Sequence, residues 1–185
     1  MIKNLTIAAL FFSLCFVVAG CGAKKEKAEL IELMKSVEIS KPTAENIMKR
    51  FSGLQKYNSP DQAEKMALEM ANLVVEIDKL VEPIKDMKVT SNEVARLREE
   101  YLVMWKNLQD GMRMVLEVMM TRDPKLGATL EKRVLEKDAE FKASTQVFES
   151  DYIILKRRYK ITAEDLGIPS KSEPRNAPGP VPGGG

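Results

Sequence analysis

Cys21 is the residue in this sequence best placed to do chemistry, because a thiolate is a strong nucleophile and this one stands at a processing-type junction. Lys3 gives the chain a positive start, residues 5–18 form an apolar run interrupted only by Thr6 and Ser13, and the run closes on Val18-Ala19-Gly20-Cys21. A charged start, a short apolar core and a small-residue junction are the marks of a secretion signal. The apolar stretch, residues 5–20, is shorter than the roughly 20 residues needed to cross a bilayer. The other cysteine, Cys15, lies inside the signal, so the exported part has no partner for a disulfide with Cys21.

The junction resembles the lipobox of bacterial lipoproteins. That resemblance implies a diacylglycerol in thioether linkage to Cys21, cleavage just before it and acylation of the new amino terminus. It also implies sorting to the outer membrane of a two-membrane bacterium, since residue 22 is Gly and not the Asp that favours inner-membrane retention. The membrane is thus an expected partner, reached through the Cys21 anchor.

The remaining candidates for chemistry are weak. The sequence contains no His, which removes the usual general base and the commonest zinc and haem ligand. Met66 and Met70, with Met112, Met114, Met119 and Met120, are soft thioethers of the kind that hold copper(I). They fall largely on apolar helical stripes, where Met serves as a gap-filler. Glu99, Glu100, Glu131 and Glu140 lack the Glu-x-x-His pairs of di-iron bundles and read as a solvated face among many Lys and Arg residues. The segment 152–159 resembles the last helix of the b562-type cytochromes, but haem ligation there needs a His that this chain does not have. No cofactor and no catalytic residue is expected.

These residues must be carried by helices. Leu30, Leu33, Met34, Val37, Ala44, Ile47, Met48, Phe51 and Leu54 recur at helical spacing, with a break or kink expected near Pro42 because proline lacks an N–H and constrains the residue before it. Ser59-Pro60-Asp61-Gln62 reads as a helix start, and Pro83 should kink or end that second helix. Thr90 and Glu93 read as a capping box for a third helix bearing Val94, Leu97, Tyr101, Trp105, Leu108, Met112, Val115 and Met119. Asp123 can cap a fourth, ending near Lys160, with a stripe of Leu126, Leu130, Val134, Phe141, Phe148, Tyr152, Leu155 and Tyr159. Thr162 to Asp165 add a capped turn closed by Gly167 and Pro169. The sequence therefore predicts an all-α, up-and-down helical bundle of about four long helices, the first broken near Pro42.

The expected organisation is a signal at 1–20, a lipidated tether at 21–28, a bundle at 29–168 and a Pro/Gly-rich tail at 169–185 too polar to bury a core. Basic residues number 29 against 27 acidic, with Lys3 in the signal, so the exported part is nearly neutral and no nucleic-acid partner is expected. Lys156, Arg157, Arg158 and Lys160 sit where cations complement a helix carboxyl end and could also meet anionic lipid head groups.

One interior feature stands out. Lys137 and Thr145 interrupt the apolar stripe of the fourth helix, while Trp105 and Gly111 lie mid-way along its expected neighbour. Lys137 either snorkels to the surface along its alkyl stem or helps line a groove formed with Thr145, Trp105 and Gly111. With no catalytic apparatus, the expected role is a non-enzymatic, lipid-anchored binding or assembly subunit with an envelope protein partner. The alternative is a small-ligand carrier using the groove near Lys137.

Overall fold

The computed structural model describes the backbone of residues 3–54, 62–121 and 124–169, and the side chains of these from residue 22 on, Pro124 excepted. The expected lipidation at Cys21, the capping residues Ser59, Pro60, Asp61 and Asp123, and nearly all of the tail lie outside the described side chains. Four helices account for almost all of it: α1 (Lys3–Leu54), α2 (Ala63–Lys85), α3 (Asn92–Met120) and α4 (Pro124–Arg158). No strand occurs among the described residues, and the protein is an all-α bundle.

The helices pack largely through the stripes read from the sequence. Leu30, Leu33, Met34 and Ile47 of α1 are fully buried, as are Leu73 and Ile77 of α2 and Val94 and Met112 of α3. α3 is the central element, packed against α4 on one side and α2 on the other, while α1 lies mainly on α2 and only lightly on α3. α1 and α4 make no close backbone approach, so the bundle is open along one side. The α3–α4 hairpin tip has fewer neighbours: Leu130 is buried apart from the main core, and Leu126, expected inside, is 48% exposed.

Three local expectations are corrected. The break near Pro42 does not occur: α1 runs through the proline. One missing N–H costs the helix a single bond, and packing of Leu33, Met34 and Ile47 on either side outweighs that loss. The N-cap of α3 is Ser91, whose Oγ accepts from the Val94 N–H, and not Thr90. Thr90 is drawn off because its hydroxyl and N–H both donate to the Glu29 carboxylate. The tether expected at 21–28 is helical instead. Its order is reinforced where Glu26 accepts from the Ser91 hydroxyl and Glu29 accepts from the Thr90 and Ser91 N–H groups at 2.9 and 3.0 Å. Acidic groups at a helix N-terminus are stabilising there.

The closing turn forms as read. The Thr162 N–H donates to Asp165 at 2.9 Å, and the Asp165 N–H donates to the Thr162 hydroxyl at 3.1 Å. Gly167 takes φ +69°, a conformation open to Gly at little cost. α2 ends two residues past Pro83, again as read.

Candidate functional site

The gap between α1 and α4 is floored by α3 and forms a groove of about 390 Å³. α1 contributes Val37, Glu38, Ser40, Lys41 and Ala44, α3 contributes Tyr101, Met104 and Trp105, and α4 contributes Phe148, Glu149, Tyr152 and Ile153. Helical spacing puts Tyr101 and Trp105, four apart, on one face of α3, and Phe148 and Tyr152 on one face of α4. The four rings pack as a run: Tyr101 meets Trp105 edge-on at 6.2 Å between centroids, Phe148 at 5.2 Å, and Phe148 meets Tyr152 at 5.8 Å. Such contacts hold a rigid apolar floor.

The polar groups of this floor can be followed proton by proton. Ser40 donates its hydroxyl hydrogen to the Val37 carbonyl at 2.8 Å. It therefore accepts from the Tyr101 hydroxyl, 3.0 Å away. Burial pushes the Tyr101 hydroxyl above its ordinary pKa, against a smaller lowering by Ser40 and by the nearby Trp105 indole. Tyr152 donates to Glu38 at 2.8 Å and so bridges the gap between α4 and α1. Burial, with that carboxylate beside it, also raises the Tyr152 pKa. Both phenols stay protonated at neutral pH.

Trp105 is the exception to this satisfaction. Only 4% of it is exposed, and its Nε1–H completes no hydrogen bond among the described residues. The Tyr101 hydroxyl is the polar group near enough for the indole to lower its pKa. A buried donor without an acceptor costs about 1–3 kcal/mol.

The residues singled out from the sequence divide between two places. Lys137 and Gly111 do meet: a Cβ added at Gly111 would stand 3.7 Å from the Lys137 Cβ. They share a cleft of only about 50 Å³ with Phe51, Val134 and Phe141. The Lys137 ammonium lies 2.5 Å from Glu140 one turn along its own helix, with 24% of the side chain exposed. Thr145 donates back to the Phe141 carbonyl at 2.8 Å and lines neither cavity. Trp105 belongs to the groove between α1 and α4, away from the other three. Sequence reading placed Tyr101, Phe148 and Tyr152 on core stripes, and Tyr101 and Phe148 are buried there with Tyr152 packed against them; it missed that the same rings also line a groove. The usable signal was four aromatic residues on two neighbouring helices facing the small Ser40 and Ala44.

Among the described residues, no group of three or more Cys, Asp or Glu side chains is arranged to hold a metal ion. No helix among them is long and apolar enough to cross a membrane. Comparison with protein-family models, characterised proteins and solved structures finds no match to this chain. The account of its role rests on its own residues.

Proposed function

We propose that the protein is a lipid-anchored, non-enzymatic binding subunit of a bacterial envelope, held at the outer membrane through Cys21 and engaging a protein partner through the groove between α1 and α4. The anchor is supported by the signal pattern that ends at Val18-Ala19-Gly20-Cys21. The observation that carries the binding role is the open aromatic groove between α1 and α4. The occupant in this reading is one or more apolar side chains of the partner. Apolar surface continues from Ile153 in the groove wall onto Ile154, each 47% exposed, which suits a protein contact better than an enclosed small molecule. The rim carries Glu38, Lys41 and Glu149, a polar border around an apolar centre.

The chemistry of the groove supports binding over catalysis. Ser40 has already given its proton to a backbone carbonyl, no His is present to activate it, and the two phenols are shifted away from neutral pH. General acid–base work needs a group that titrates near the working pH.

A photo-crosslinker placed at Ile153 in the native, membrane-bound protein tests the reading, with one at exposed Leu135 as the control. We expect one discrete protein adduct from position 153, lost when Ala44→Arg fills the groove, and none from position 135. Equal adducts at both positions, or an adduct at 153 that survives Ala44→Arg, would overturn it.

A further inference from the structure

We infer that the end of the bundle formed by residues 24–29 of α1 and the last turn of α4 is a cationic surface that binds anionic phospholipid head groups. The inference builds on the anchor at Cys21, because it asks what part of the protein the anchor presses against the bilayer. With Glu26 and Glu29 tied to the start of α3, the ordered bundle begins five residues past Cys21, only about 7 Å at the helical rise. There is no long linker to let the domain turn over, so this end faces the membrane.

The same end collects cations. Arg158 bonds to Glu93 beside the N-terminus of α3 at 2.5 Å, which brings the end of α4 to the place where Glu26 and Glu29 of α1 are also held. Lys24 and Lys25 are exposed on α1. Lys156, Arg157 and Lys160 surround a depression of about 410 Å³ whose other walls are Ile153, Ile161 and Thr162. None of these five cations has a carboxylate within ion-pair distance among the described residues. The neighbouring carboxylates are mostly engaged: Glu26 and Glu29 with Ser91 and Thr90, Glu93 with Arg158, and Asp165 with Thr162. Glu164 is the exposed acid of the closing turn. Cations over a partly apolar depression match a phosphate head group above the first methylenes of its lipid.

A second observation points the same way. Lys160 holds φ +50° just past the end of α4, where the Lys160 N–H donates to the Arg157 carbonyl at 3.1 Å and the Ile161 N–H to the Lys156 carbonyl at 3.0 Å. This double bond pattern ends a helix through a left-handed residue, and that residue is usually Gly. A lysine there is strained relative to Gly. The fold keeps a charged side chain at the position where an uncharged Gly would serve the backbone better.

The test uses the soluble chain from residue 22 onward, which retains the whole buried core from Leu30 to Leu166; circular dichroism checks that its helix content is intact. It is mixed with vesicles of phosphatidylcholine alone, or with phosphatidylglycerol added, and sedimented. We expect binding only to the anionic vesicles, weakening as salt rises. The triple change Lys156→Gln, Arg157→Gln, Lys160→Gln should weaken it roughly a hundredfold, about fivefold per cation, while Lys132→Gln with Lys142→Gln leaves it unchanged. Lys160→Gly should raise the melting temperature and still weaken binding about fivefold, an outcome that a purely structural lysine would not give. Equal binding to both vesicles, binding to neither, or full binding by the triple variant overturns the inference. Because the soluble chain is never lipidated, a failure here leaves acylation of Cys21 as a separate question with its own assay.

Discussion

Replacing Trp105 with Phe tests whether its buried indole N–H is left unbonded by the fold. The two rings differ by roughly 50 Å² of buried surface, about 1 kcal/mol at ~25 cal/mol/Å². Against that loss, Phe deletes an indole N–H that has no acceptor among the described residues and whose burial costs about 1–3 kcal/mol. The two effects offset. Trp105→Phe should therefore change stability by less than ~1 kcal/mol, a shift of only about 2–4 °C in melting temperature for a chain of this size. Trp105→Ala, which empties the floor, should cost about 3–5 kcal/mol. Binding of the proposed partner should change as little, since the N–H has no accessible surface to offer it. Urea and thermal midpoints give the first quantity, and titrated crosslinking yield from position 153 gives the second. A loss of ~3 kcal/mol or more in Trp105→Phe would refute the reasoning, since it would mean the N–H is bonded within the fold.

Three further outcomes follow from the packing and the charges. The Thr90 hydroxyl and the Thr90 and Ser91 N–H groups hold Glu29 down to about 2; this depressed carboxylate stabilises the fold above its ordinary range and ceases to as pH falls through about 2. The gap in urea midpoint between the native protein and Glu29→Gln should thus be constant near neutral pH and close toward pH 2. Glu100 has the opposite sign: burial first, then the nearby Asp151, raises its pKa, so the fold favours its protonated form and Glu100→Gln should raise the melting temperature at neutral pH, a gain that disappears in acid. Ile77 is fully buried between helices, and Ile77→Ala should cost about 2–5 kcal/mol in urea unfolding.

Local patterns carried most of the fold into the sequence, and contacts between distant segments account for what they did not carry. The stripe from Leu30 to Leu54 and the reciprocal Thr162–Asp165 bonds could be read because their partners lie within a few residues or follow a helical period. The cap of α3 could not, because Glu29 takes Thr90 from 61 positions away. Continuity through Pro42 was hidden for a similar reason, since packing around the proline decides it. The groove escaped because stripe reading assumes that each apolar face finds a neighbour. α1 and α4 do not close, so Tyr101, Trp105, Phe148 and Tyr152, which belong to the core or pack against it, also line an opening. Lys137 was conspicuous in the sequence as a charge on an apolar stripe, yet its ammonium reaches Glu140 along its own helix.

The proposed anchor at Cys21 would orient the membrane-facing end and put the groove within reach of the proposed envelope partner. Labelled palmitate fed to cells that express the native protein or Cys21→Ser, followed by membrane fractionation, tests it most directly. The account predicts label in the native protein alone, which fractionates with the outer membrane. Label in Cys21→Ser, or a native protein without label, would contradict it.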